Sequence, residues 1–149
     1  MTILQINRSL PFDHNTFYDG VHGSVAENDE RSLQLTEVNL TKVTFETMLN
    51  AGEQFISTAE KINRLNECGF IRLDAKVFQT LWENQHLIPE GWKEKTVGGS
   101  VIVFDGTIVT YRLGRRAMLS MYWDGEWNLQ DESFDQPKNT GTLSAVVRP

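Results

Sequence analysis

Hydrophobic positions follow two rhythms along this chain: helical spacing through the middle, and alternation after Gly98-Gly99. The first apolar run, residues 2–6, predicts a short strand. "PFDHNTF" predicts a single helical turn capped by Asp13, with Phe12 and Phe17 turned inward. Residues 19–32 hold few apolar positions and several turn formers, so a surface loop is expected there. Alternation over "SLQLTEV" predicts a second strand, and "TFETML" a short helix with Thr44 as its cap.

The helical signal is strongest over residues 57–68. Ser57 and Glu60 form a capping-box pair, Ile62 and Leu65 supply an apolar stripe, and Gly69 stands where a left-handed stop belongs. In "RLDAKVFQTLWEN", Asp74 caps a second helix whose buried face is Val77, Phe78, Leu81 and Trp82. The short link between these helices predicts that they pack on each other. Pro89 suits the first turn of a further short helix, with Trp92 as its anchor.

Alternation over residues 100–130 predicts a four-stranded antiparallel meander, with Asp105-Gly106 and Asp124-Gly125 as two-residue hairpin turns. If Tyr111 pairs with Arg116, one face carries Ile102, Phe104, Val109, Met118, Tyr122, Trp127 and Leu129 and forms the core. The opposite face carries Val101, Val103, Ile108, Leu119, Met121 and Trp123. That second face is too apolar to stand bare, so it is either covered by N-terminal elements or kept for a partner. A slip at the middle turn would exchange the faces beyond it. The final segment, residues 137–149, reads as a polar linker and a short apolar patch that docks on the fold. The expected architecture is a single α+β domain: helices over about 44–93, the meander over about 100–131, and one or two N-terminal strands.

Charge changes this picture modestly. The chain of 149 residues carries a net charge of −6, which disfavours non-specific nucleic-acid binding. Residues 1–60 hold nine acidic and three basic residues, whereas residues 61–116 hold six acidic and nine basic, a weakly basic middle that suits an acidic partner. The lone Cys68 fits a reducing compartment. No secretion signal or run of about 18 apolar residues is present, so a soluble cytoplasmic protein with no membrane contact is expected.

Candidate chemistry is sparse. Arg112, Arg115 and Arg116 crowd one hairpin tip and present guanidinium groups suited to an anion or acidic partner. Asp13, His14, Asp19 and His22 are close in sequence but match no metal-ligand spacing, and "ENDE" at residues 27–30 reads as a solvated loop. Cys68 lies at a helix C-terminus, where the dipole disfavours a thiolate, so a Cys68–His86 nucleophilic pair is not expected. Asp105 and Asp124 have a sufficient reason as turn residues. No phosphate loop, dinucleotide fingerprint or nucleophile elbow occurs, and no cofactor is implied.

The leading expectation is therefore a non-enzymatic interaction module using Val103, Met121 and Trp123 on the second sheet face, edged by Arg112, Arg115 and Arg116. Its partner would be another protein or a second copy of the chain. The alternatives are a small enzyme or ligand carrier with a pocket near His86, Trp92 and Tyr111; a carbohydrate-binding module; and an acidic inhibitor acting through residues 1–60. The blocks "RLDAKVFQTLWENQHLIPEGWKEKT", "VFDGT" and "YWDGEW" resemble a group of small uncharacterised bacterial proteins with an RLDA, LWEN and LIPExWK block, an FDGT hairpin and a YW-G-W hairpin. The resemblance covers residues 27–130 and implies no catalytic residue. Gly91 stands where the group has serine, and the C-terminal segment is poorer in aromatics.

Overall fold

The computed structural model describes residues 1–17 and 23–149. The fold is α+β. Strand β1 (Ile3–Gln5) pairs with β3 (Glu37–Asn39) in a small two-stranded sheet, and a seven-stranded mixed sheet forms the body. The large sheet contains β2 (Ser24–Asn28), β4 (Thr44–Glu46), β5 (Ile71–Arg72), β6 (Val101–Tyr111), β7 (Arg115–Trp123), β8 (Trp127–Ser133) and β9 (Thr142–Val147). Helix α1 (Glu30–Leu33) is one turn; α2 (Thr58–Glu67), α3 (Ala75–Trp82) and α4 (Gly91–Lys95) complete the set. Among the described residues no helix is long and apolar enough to cross a membrane.

Both main helices begin on the expected caps. The Ser57 hydroxyl accepts from the Glu60 amide, and Asp74 accepts from the amides of Lys76 and Val77. Glu60 does not close the capping box; its carboxylate accepts from Arg64 at 3.0 Å instead. Asp13 caps the turn His14–Thr16 as expected. The helices do not pack on each other. Val77, Phe78 and Leu81 of α3 meet Ile102, Phe104, Leu119 and Met121 on one face of the sheet, whereas Ile62 of α2 meets Val101, Val103, Ile108 and Met118 on the other. A sheet covered on both faces permits the nearly continuous apolar run of β6.

Three local expectations are overturned. Residues 44–46 form a strand instead of starting a helix, because β9 offers them an edge to pair with. The expected loop over residues 19–32 contains β2 and α1, while its residues 19–22 lie outside the described residues. The C-terminal patch is a full strand: β9 runs parallel to β6, from Val101↔Thr142 to Val103↔Ser144, and carries β4 and β5.

The largest correction concerns Asp105-Gly106. This dipeptide is no hairpin turn; it lies inside the eleven-residue strand β6, where the register against β7 shifts between Phe104 and Val109. A β-bulge and a hairpin share a preference for glycine, and here close backbone approach decides between them. A Cβ on Gly106 would stand 2.2 Å from the Arg72 carbonyl oxygen and 2.7 Å from the Asp74 nitrogen.

Of the two remaining turns, the first is one residue shorter than expected and the second is one residue longer. Tyr111 pairs with Arg115, with Leu113 and Gly114 at positive φ between them, and Trp123 pairs with Trp127 around Gly125. The first shift turns Leu119 and Met121 toward α3. The second returns Trp127 and Leu129 to that same side, so two slips leave the last strand on its expected face.

Candidate functional site

Val103 and Met121 are 1% and 0% exposed, which removes them from any binding surface. The second sheet face is covered within the monomer. Trp123 is half-buried against Trp127, with ring centroids 5.5 Å apart and planes at 70°, and Lys93 of α4 places its ammonium 3.9 Å from a Trp123 ring centroid. The Trp123 amide donates to the Thr96 hydroxyl at 3.0 Å. The "YWDGEW" block is thus joined to the "IPEGWKEKT" block, and its rings form no flat platform. Phe55 is the one exposed aromatic side chain among the described residues, so coplanar rings for stacking on a sugar are not present there.

The arginine tip also divides. Arg115 and Arg116 are successive strand residues and project to opposite faces. Arg116 bridges to Asp135 at 3.4 Å and lies 3.8 Å over the Phe134 ring; Arg112 sits in the turn itself. Of the candidate pocket residues, Trp92 is buried edge-on to Phe45, with centroids 5.0 Å apart. It lines a shallow groove with Val43, Phe45 and Pro89, to which neither His86 nor Tyr111 contributes. Cys68 is exposed at the C-cap of α2, and His86 lies in a turn after α3; they share no hydrogen bond. Asp13 accepts from the Asn15 amide beside His14, while Asp19 and His22 lie outside the described residues.

The densest polar arrangement is the junction where the "RLDA" block crosses the "FDGT" block. The Gly106 amide donates to the Leu73 carbonyl at 3.0 Å, the Arg72 guanidinium donates to the Asp105 carbonyl at 2.5 Å, and the Ala75 amide donates to the Thr107 hydroxyl at 2.9 Å. The Gly106 carbonyl in turn accepts from the Asp29 amide at 2.7 Å. Asp29 is far from a solvated loop residue: it is buried, caps α1 and accepts from the Arg72 amide at 3.0 Å. Burial pushes its carboxyl up, but hydrogen bonds from the Arg31 side chain and from the Arg72 and Arg31 amides outweigh that and hold it below the usual carboxylate range.

Asp74 is the hub of this junction. Its carboxylate accepts two bonds from Arg8, at 3.2 and 2.9 Å, one from the Ser32 hydroxyl at 2.6 Å, and one each from the Lys76 and Val77 amides. Five donors saturate its lone pairs and fix the N-terminal segment, α1 and α3 together. Beside it opens a cavity of about 330 Å³, lined by Arg8, Leu10, Phe12, Val25, Lys76 and Thr107. Leu10 and Val25, on its rim, are 60% and 40% exposed.

Asp74 was legible from sequence as a cap. Arg8, Leu10 and Val25 were not, because an isolated arginine and two isolated apolar residues carry no periodic signal. No family model matches this chain, and no curated protein or solved structure shows significant similarity to it.

Proposed function

We propose that the chain is a small non-enzymatic binding module that engages another protein through the groove between its N-terminal segment and β2. The observation that carries this reading is the apolar rim, with Leu10 and Val25 60% and 40% exposed across a cavity of about 330 Å³. Strand β2 pairs only with β6 among the described residues, so its outer edge is available to an extended segment of a partner. Strand addition beside an apolar pocket combines backbone hydrogen bonds with side-chain selectivity. Lys76 on the groove wall favours an acidic group on the incoming segment.

The polar groups favour binding over catalysis. The Asp74 carboxylate is saturated, and the Thr107 hydroxyl both donates to Asn28 and accepts from Ala75. A general acid or base needs a free lone pair or proton facing the substrate. The partner is a second protein or a second copy of this chain, and the single cysteine favours the cytoplasm as the setting, in a bacterial cell if the motif resemblance reflects kinship.

Affinity capture from native lysate tests the reading, comparing wild type, a Leu10→Glu/Val25→Glu variant and an Arg115→Ala variant. Capture of a specific partner by wild type and Arg115→Ala, with loss by the groove variant, is the expected result. A partner retained by the groove variant and lost by Arg115→Ala would transfer the function to the hairpin tip. Sedimentation of the same proteins tells whether the partner is a second copy.

A further inference from the structure

The groove between the N-terminal segment and β2 is lopsided in its polar groups. Its side-chain acceptors are engaged. Asp74 accepts from Arg8, Ser32 and the first amides of α3, and Asn28 Oδ1 accepts from the Thr107 hydroxyl at 2.7 Å. The groups left over are donors. Lys76, half-buried on the wall, has no hydrogen bond or ion pair on its ammonium among the described residues, and the side-chain nitrogen of Asn28 has no acceptor among them. Arg8 and Asp74 answer each other at 2.9 Å, so Lys76 is the unbalanced charge of the lining. Glu27 is turned away: it pairs with Ile108 on the α2 side of the sheet, and its carboxylate lies 3.9 Å from Arg72.

Backbone geometry adds a donor at the same place. The Asp29 amide donates to the Gly106 carbonyl at 2.7 Å, so it points into the sheet toward β6. Successive residues of a strand alternate, so the Asn28 N–H and C=O point out to the open edge of β2. That edge also ends there, because Asp29 caps α1 and the chain turns into the helix. Val25 shares a sheet face with Asn28, since their partners in β6 are Val109 and Thr107, on either side of the bulge. An apolar rim of Leu10, Phe12 and Val25 therefore leads along β2 to a cluster of free donors at its last residue.

On the reading that this groove is the binding surface, we propose that its occupant is the free C-terminus of a partner protein with an apolar last residue. The segment adds to β2 in parallel. Its terminal carboxylate accepts from the backbone and side-chain amides of Asn28 and from the Lys76 ammonium, and its last side chain enters the cavity beside Leu10 and Val25. An internal segment would run on past Asn28, where β2 has no further edge to pair with. A chain that ends at Asn28 leaves no backbone group unpaired beyond it and brings its charge to Lys76. Capture of a terminal carboxylate by backbone amides, and strand addition at an open edge, are both general modes of peptide recognition.

The test is affinity selection on the immobilised full chain from pooled random peptides. One pool ends in Val, Leu, Ile or Phe with a free carboxylate, and a second is the same pool amidated. A third is amidated and ends in Glu, so that its acid is a side chain. The free-carboxylate pool alone should be enriched, and a selected peptide should move both the backbone and the side-chain amide resonances of Asn28. Lys76→Gln, which keeps a donor and removes the charge, should weaken that peptide by about tenfold. Leu10→Glu/Val25→Glu should abolish its binding, and Arg115→Ala should leave it unchanged. Equal enrichment of the amidated or Glu-ended pool, lost in the Leu10→Glu/Val25→Glu variant, would overturn the terminal carboxylate and keep the groove. Undiminished binding by a folded Lys76→Gln variant, or no enrichment of any pool, would overturn it likewise, and groove-dependent capture from lysate would still stand. Binding untouched by Leu10→Glu/Val25→Glu would overturn both.

Discussion

The Gly106 amide donates to the Leu73 carbonyl at 3.0 Å, so a strand and the segment leading into α3 touch through bare backbone. A methyl group at Gly106 has nowhere to go, because its nearest neighbours are main-chain atoms of Arg72, Leu73 and Asp74. Gly106→Ala should destabilise the fold by about 3 kcal/mol or more, at the upper end of overpacking effects. Gly91 is the contrasting case: it opens α4 with empty space around its Cα, and Gly91→Ala should be stabilising by about 0.5 kcal/mol. Urea unfolding of the two variants beside wild type reads both midpoints.

Lys61 is 1% exposed, and burial, opposed by the charge of Asp105, lowers its pKa from 10.5 to about 8. Between those values the unfolded chain holds a proton that the folded chain has released. Stability therefore rises with pH across that window, by about 3 kcal/mol from this group alone. The difference in unfolding free energy between wild type and Lys61→Met, followed from pH 8 to pH 10.5, should show that rise. A pH-independent difference would mean that Lys61 is neutral on both sides of the transition, or charged on both.

Asp74 holds Arg8, whose side chain is 21% exposed, and caps α3. Asp74→Ala removes a cap and leaves a mostly buried guanidinium without its carboxylate, a loss of about 3–5 kcal/mol. Adding Arg8→Met should recover part of that loss, since the orphaned charge leaves with it. A double-mutant cycle on the two positions measures the coupling directly.

Leu113 is 88% exposed at a φ of 65°, in the left-handed region. Its side chain gains no burial to offset the backbone strain. Leu113→Gly should raise stability by about 1 kcal/mol, read as a higher thermal midpoint with unchanged secondary structure.

The helices were legible in the sequence because their signals are local. Ser57, Asp74 and Gly69 mark their ends within a single turn of chain. The sheet was legible in kind and not in register. Asp105-Gly106 reads as a turn on composition, and only the distant Arg72–Asp74 backbone decides that it is a bulge. Thr44–Glu46 has no strand signal of its own and becomes a strand because β9 is beside it. The groove residues Leu10 and Val25 were silent for the same reason, since their meaning lies in what the fold places next to them. The motif blocks of the sequence are contacts in the fold: "RLDA" grips "FDGT", and the helix of "LIPEGWK" lies against "YWDGEW".

Strand β9 lies between β6 and β4, and it pairs Thr44 with Val146 across most of the chain's length. During synthesis, every earlier strand of the large sheet emerges before the one that joins them. Until residues 142–147 clear the ribosome, β4 has no neighbour and the first half of β6 has an open edge. The sheet therefore closes late, and the apolar faces of β6 must be shielded by α2 and α3 in the interval.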